Sequence, residues 1–336
     1  MSDPIRTASA PLALLMATYN GERFLEEQIQ SIQGQDFEDW GLFVSDDGSQ
    51  DATQAIVERF AQEDHRIHGI PEPTEAHGAK ENFAHLLQSV GADYYAFADQ
   101  DDVWEPRKLS TLMARMHEVE AELGTSEPAL VFSDAALVDE RLEPLGPSFI
   151  ESLGVDPEDT SLRALLSNNM APGCTMLINR PLAALARDAV ADPRTRMHDW
   201  LLMLVARSAG TIAYVPEPLV RYRQHGDNTL GAHEKTVGEI LRSKFSTAGN
   251  PLHAKVFDDS VAQARLLQET LPRPPRDPAD AQSLADYVAF RPRRPLTNLR
   301  LLSHSGVHDR GARAWVMRYG AATYGFFSDP STEGRQ

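Results

Sequence analysis

Three short stretches gather the side chains that can do chemistry in the first third of the chain: TYNGE (18–22), DDGSQD (46–51) and DQDD (99–102). Each follows an apolar run, so each marks a point where a buried strand gives way to a polar turn. Carboxylates crowded on one rim repel each other unless a cation or hydrogen-bond donors sit among them. A divalent metal meets that need, because Mg or Mn takes one or two carboxylate oxygens and completes its shell with water and substrate phosphate. A carboxylate can equally accept two hydrogen bonds from a ribose diol. The residue types leave both uses open. Plainer roles compete with them: Asp102 stands close enough to Pro106 to cap or orient the next helix, and DDGS is a good turn sequence whatever Asp46 and Asp47 bind.

The elements that must hold these stretches alternate in type. LALLMA (12–17) reads as a strand and GERFLEEQIQSI as a helix, with Leu25, Ile29 and Ile32 at i, i+4 and i+7. GLFVS (41–45) is a second strand, followed by a helix with Ala52, Ile56 and Phe60 on one stripe and Asp51 and Gln54 spaced as a capping box. NFAHLLQSV predicts a helix and YYAFA a strand. In EPRKLSTLMARMHEV, Pro106 suits a first helical turn, and Leu109, Leu112, Met113 and Met116 form a buried face. This order predicts a doubly wound α/β sheet, in which ligands bind outside the carboxyl ends of the strands, so the three stretches share one rim.

Further on, ALVFSDAALVD (129–139) predicts a strand, NNMAPGCTMLINR leads into a helix starting near Pro181, MHDWLLMLVARSAG is a helix, and TIAYVPEPLVRYRQHGDNTLG holds one or two short strands and a loop. Beyond residue 233 the character changes. LPRPPRDPADA breaks the pattern, and residues 291–318 carry seven Arg against one Asp, a local net of 7 − 1 = +6. The expected division is a domain over 8–232 and a mainly helical extension over 233–336, basic near its end. That basic segment fits either a peripheral contact with anionic lipid or a packed helix pair with a solvated Arg face.

Composition narrows the classes. The net charge of 32 − 49 = −17 argues against broad electrostatic binding to nucleic acid. A single cysteine, Cys174, excludes an internal disulfide and fits a reducing compartment, where it reads as a small buried hydrophobe. With no charged-then-apolar leader and no long apolar run, a cytoplasmic protein is expected, placed at the inner face of the membrane if its acceptor is membrane-borne.

MATYNGERFLEEQIQSIQGQ, VSDDGSQDAT, FADQDDVWEPRKL and RYRQHGDNTLG, in this order and spacing, resemble the family 2 glycosyltransferases of the GT-A fold, in particular bacterial rhamnosyltransferase-like members. The resemblance covers about residues 11–232; MATYN departs from relatives that have Pro before the Thr. It implies a mixed sheet with a Rossmann-like nucleotide-binding half. DQDD then stands at the family's DxD motif, with Asp101 a ligand of Mn or Mg and Asp99 beside the ribose or the metal's water shell. Asp47 binds the base, Tyr19 stacks near it, and Ala17, Glu22 and Asp46 complete the nucleotide-sugar pocket. Lys80 serves the diphosphate, unless it is solvated surface. Asp199 of MHDW is the catalytic base, a position that also suits a helix cap. His198 is an alternative base or shapes the acceptor side, and His225 joins the metal or the diphosphate, with Arg221 and Arg223 able to grip phosphate. Asn169 and Gly173 lie in the acceptor loop, and Trp104 and Trp200 are sugar platforms or core.

The implied activity is metal-dependent, inverting transfer of a sugar from a nucleotide sugar such as dTDP-rhamnose to a saccharide or lipid-linked acceptor in surface polysaccharide biosynthesis. A nucleotidyltransferase is the second enzyme class, but ATYNGERF makes a poor triphosphate loop. A non-catalytic relative or calcium module is the third, and DQDDVWEPRKLS lacks the Gly and Glu of an EF-hand loop.

Overall fold

In a computed structural model of the chain, residues 5–6, 11–71, 78–225 and 251–304 are described. The sheet that organises them follows the order β4-β3-β2-β6-β9-β8-β10-β7. Its parallel half comprises β2 (Leu12–Thr18), β3 (Trp40–Asp46), β4 (Ile67–Ile70) and β6 (Tyr94–Asp99). The other half mixes directions: β9 (Met176–Asn179) runs antiparallel to β6 and β8 (Ala129–Val138), β10 (Thr211–Arg223) parallel to β8, and β7 (Val103–Trp104) antiparallel to β10. A separate short ladder joins β1 (Ile5–Arg6) to β5 (Val90–Gly91).

LALLMA is apolar at every position because β2 is covered on both faces. Ala13 and Leu15 enter one buried cluster with Phe43, Phe83 and Phe97, and Leu12, Leu14 and Met16 enter another with Leu42, Ile29 and Met116. The two-residue period of a strand sorts them. The covering helices are α1 (Leu25–Gln33), α2 (Thr53–Glu63) and α4 (Lys108–Leu123) against the second cluster, and α3 (Ala79–Ser89), α7 (Arg180–Val190) and α8 (His198–Ala209) against the first, with short helices α5 (Phe149–Leu153) and α6 (Leu162–Ser167) between.

Several local expectations change. β4 and β9 are strands that the apolar pattern did not single out; both are four residues long. The 211–223 segment is one strand, irregular in register around Val215 to Arg221, where Pro216 and Pro218 cannot donate to a ladder. The Asp51–Gln54 capping box does not form: Asp51 Oδ1 accepts from the Thr53 amide and hydroxyl, and Gln54 reaches Asp46 instead. Pro106 stands just ahead of α4, and Asp102 does not cap that helix; it is fully buried and accepts the Arg223 amide.

The described residues after 250 are mainly helical: α9 (Pro251–Thr270), α10 (Pro278–Val288) and α11 (Pro295–His304). Phe257, Val261, Leu284 and Tyr287 share the buried cluster of Trp200, Leu201 and Leu204. Polar ties reinforce the packing, since Asp280 accepts from the Leu162 amide and Arg207, and Gln263 accepts from the Arg196 amide. Residues 226–231 of the RQHGDNTLG stretch and the second half of the basic 291–318 segment, from 305 on, lie outside the described residues. No helix among the described residues is long and apolar enough to cross a membrane.

Candidate active site

Sheet register sets the polar turns at one level. Ala17 pairs with Asp99 across β2 and β6, and Thr18 with Asp46 across β2 and β3. Over these ends opens a cleft of about 810 Å³, within the usual range for a small-molecule site.

At one end of the cleft, Tyr19 is 56% exposed, and the Gln100 side-chain amide holds its backbone on both sides, accepting from Tyr19 N and donating to Tyr19 O, both at 2.9 Å. Gln100 fits there because Gly21 has no side chain; a Cβ at 21 would lie 2.2 Å from Gln100 Oε1. Asp47 Oδ2 accepts from Gly78 N at 2.6 Å. Gly78 has φ +121°, a left-handed conformation that favours glycine, and it starts α3 with that helix's N-terminus against the cleft. Free amides and the helix dipole favour an anion at such a terminus. Asp46 and Glu22 act behind the wall. Asp46 gathers Thr18, Ser49 and Gln54, and Glu22 accepts from the Ala52 amide ahead of α2.

At the rim, Asp99 and Asp101 line the cleft, and His225 Nε2 contacts Asp101 Oδ2 at 2.7 Å. Asp99 is pushed up to about 7, first by burial and then by the neighbouring Asp101 and Asp199 charges. Beneath it lies a buried group of Asp102, Cys174 and Lys108. Burial raises the Asp102 carboxyl and the Cys174 thiol well above their ordinary values and lowers the Lys108 ammonium to about 7. The Lys108 Nζ sits 3.1 Å from the Trp104 ring centroid, so Trp104 is an internal wall, 2% exposed, and not a sugar platform.

Asp99, Asp102 and Cys174 offer ligand atoms within 4.8 Å of one another. The Lys108 amine already lies beside this group, and Cys174 and Asp102 have no exposure. On the cleft wall the candidate donors are the carboxylates of Asp99 and Asp101, and the His225 imidazole stands against Asp101. Carboxylate oxygens suit Mg and Mn, and the imidazole nitrogen shifts the preference toward a transition metal.

At the far end, Asp199 lies in the first turn of α8, only 3% exposed, with Oδ2 accepting from Gly173 N at 3.1 Å. It does not cap the helix; Met197 holds that position. Burial raises Asp199 to about 6, against hydrogen bonds from the Trp200 amide, the Asn169 side chain and the Gly173 amide.

With this geometry in view, the comparisons are direct. The model of glycosyl transferase family 2 matches residues 13–129. Over 267 residues the chain is 30% identical to dTDP-rhamnosyl transferase RfbG of Shigella flexneri, covering 75% of this chain and 88% of that protein. The chain belongs to glycosyl transferase family 2. A shorter match, 35% identical over 107 residues, covers 32% of this chain and 35% of a GalNAc(5)-diNAcBac-PP-undecaprenol beta-1,3-glucosyltransferase from Campylobacter jejuni. Among solved structures, S. aureus TarS 1–349 in complex with UDP-GlcNAc superposes with TM-score 0.53 at 13% identity, covering 96% of this chain and 92% of that one, which establishes the GT-A fold.

In this family 2 glycosyltransferase the cleft wall includes Ala17, Tyr19, Asp47, Asp99, Asp101, Gly173, His198 and Asp199, all expected as site residues. Others are not on it. Lys80 pairs with Glu81 at 3.0 Å beside the cleft. Trp200 is 4% exposed and donates to the Leu165 carbonyl, which makes it core rather than acceptor wall. Asn169 touches the site through Asp199. Neither arginine grips phosphate: Arg221 pairs with Glu105, and Arg223, 1% exposed, donates to the Asp101 and Glu140 carbonyls and to Glu27. Burial holds the His198 pKa down to about 3, which makes it a poor proton acceptor beside Asp199. Gln100, Asn82 and Tyr222 line the cleft without having been anticipated. A polar Asn82 on the otherwise apolar face of NFAHLL was a readable signal; Tyr222 carried none, since it arrives from β10 in the other half of the sheet.

Proposed function

We propose that this glycosyltransferase transfers a sugar, with inversion, from a nucleoside diphosphate sugar to a hydroxyl of a saccharide or lipid-linked acceptor in surface polysaccharide biosynthesis. The observation that carries this reading is the buried Asp199 carboxylate on the same cleft wall as Asp47, Asp99 and Asp101. Asp199 takes the proton of the acceptor hydroxyl, whose oxygen bonds to the anomeric carbon from the face opposite the diphosphate. The bond from that carbon to the diphosphate oxygen breaks, and the nucleoside diphosphate leaves with the electron pair.

Asp101 and His225, with Asp99, would hold Mn or Mg. The metal supplies electrostatic stabilisation of the charge that develops on the leaving diphosphate. The protein adds the N-terminus of α3, and Tyr19 and Asp47 receive the base. Rhamnose is the first sugar to test, given the 30% identity to a dTDP-rhamnosyl transferase, and the undecaprenol-linked acceptor in the name of a second relative supports a lipid-linked substrate. The transferase domain would span residues 8–232 and the extension 233–336, with α9 packed against α7 and α8. A cytoplasmic site of action at the inner membrane face, with peripheral contact through the basic segment, fits such an acceptor.

A panel of nucleotide sugars tested with Mn or Mg against wild type and Asp101→Ala decides the matter. Metal-dependent donor binding lost in Asp101→Ala supports the reading. Absence of any nucleotide-sugar binding by wild type would sink it and leave a non-catalytic relative. Release of pyrophosphate from a nucleoside triphosphate would point to nucleotidyl transfer.

A further inference from the structure

Gln100 stands between the carboxylates of Asp99 and Asp101, where a metal site makes no demand on the side chain. Its amide instead grips the loop across the cleft, accepting from Tyr19 N and donating to Tyr19 O, both at 2.9 Å. A carboxamide carries a donor and an acceptor side by side; Glu, Leu or Lys in this place would not make both contacts.

Gly21 supplies an independent observation. Its φ lies outside the left-handed region, so the backbone does not demand glycine there. Gln100 does: a Cβ at 21 would stand 2.2 Å from Oε1, 2.6 Å from Cδ and 3.2 Å from Nε2, all three atoms of the same amide. The rest of the loop is tied on its opposite side. Asn20 has φ +48°, a left-handed conformation that asparagine tolerates better than most side chains. It donates its amide to Ser49 Oγ and accepts from Gln50 N, both at 2.8 Å, and Gly21 N donates to Thr53 Oγ1 at 2.8 Å. The turn that carries Gln100 is anchored in its own right, because Gln28 Nε2 donates to Asp99 O at 2.9 Å. The exposed Tyr19 ring therefore stands on a backbone braced from two directions.

We propose that Gln100 is a positioning residue for nucleoside recognition: its amide presets the Tyr19 backbone, so that the ring is already placed for the base when the nucleoside diphosphate arrives. The inference rests on the reading above that puts the base against Tyr19, and adds to it a residue that acts through Tyr19. Ordering a loop and its side chains on binding lowers affinity, and a loop ordered beforehand avoids that cost.

The test uses the full chain and the variants Gln100→Ala, Gly21→Ala and Tyr19→Ala, with the two double variants that combine Gln100→Ala with each of the others. Calorimetry follows dTDP and UDP binding in the presence of Mn, and Mn binding by itself. Gln100→Ala is expected to weaken nucleoside diphosphate binding roughly tenfold, the scale of one or two net hydrogen bonds, with Mn affinity kept. Gly21→Ala leaves the DQDD turn untouched in sequence but displaces the Gln100 amide, so it should reproduce the loss and add little once Gln100 is Ala. In the Tyr19→Ala background, Gln100→Ala should change affinity by less than about twofold, because no ring is left to position.

Wild-type affinity in Gln100→Ala overturns the proposal. Additive losses at Tyr19 and Gln100 overturn it as well, since they would give Gln100 an effect of its own, and so does a loss confined to Mn binding. Should Gln100→Ala lower Tm by several degrees, the Tyr19 cycle still decides, because a loosened fold would weaken binding with or without the ring. Wild type that binds neither dTDP, UDP nor any other nucleoside diphosphate removes the underlying transferase reading, and this proposal with it.

Discussion

His225 Nε2 meets Asp101 Oδ2 at 2.7 Å, closing a contact between residues 124 positions apart. Asp101 sits in the turn after β6 and His225 just past the end of β10, so this contact is assembled from both halves of the sheet. Asp101→Ala is expected to abolish Mn-dependent binding of nucleoside diphosphate, and His225→Ala to weaken it by roughly tenfold or more. Calorimetric titration of Mn with dTDP or UDP present checks both, and unchanged affinity in Asp101→Ala would remove Asp101 from the metal set.

Asp199 must be ionised to accept a proton, and its pKa is raised to about 6. Transfer should therefore rise with pH through about 6 and level off above it, the base being protonated and idle on the acid side. Asp199→Asn should lose about 10²- to 10⁴-fold in kcat while donor binding is kept. Loss of donor binding in that variant would reassign Asp199 to structure, and a flat acid limb would detach the profile from this carboxylate.

Arg221 and Arg223 are two positions apart and differ in consequence. Arg223 is buried and ties the Asp101 carbonyl, the Glu140 carbonyl and Glu27 together, whereas Arg221 pairs with Glu105 at the surface. Removing one side of a buried pair costs about 3–5 kcal/mol, and the 51% exposure of Glu27 puts Arg223→Ala toward the low end. Arg221→Ala should cost less than about 1 kcal/mol. Urea unfolding of the two variants measures the contrast, and equal midpoints would refute it.

Gly210 closes α8 immediately before β10, and a Cβ there would stand 1.8 Å from the Pro128 carbonyl oxygen. Gly210→Ala must shift backbone and should cost about 1–3 kcal/mol, as overpacking does. At Gly69 in β4 a Cβ meets nothing within 4 Å, so Gly69→Ala should stay within about 0.5 kcal/mol of wild type. Thermal melts of both variants provide the comparison.

Particular residues explain what was readable beforehand. LALLMA, GLFVS and YYAFA are apolar throughout because their strands are covered on both faces, and that continuous signal made the parallel half legible. The turns after them carry Tyr19, Asp47, Asp99 and Asp101, which follow from the strand ends and from the rule that open sheets bind ligands there. β4 and β9 escaped because a four-residue strand is too short to display a period. Local sequence presents Asp102 as a helix entry and Cys174 as a small hydrophobe; only packing brings them to Lys108 under the rim.

The sequence by itself determined the alternating αβ order, the family and the polar stretches at the strand ends, since these depend on local periodicity and on motifs read within a few residues. Tertiary structure alone decided which polar side chains face the cleft and which are turned into the protein. It sent Arg223 beneath the DQDD turn, put His225 against Asp101, and buried the His198 ring with no hydrogen-bond partner among the described residues. The physical reason is that burial and unpaired hydrogen-bonding groups are properties of packed neighbours, and those neighbours come from parts of the chain that no local pattern connects.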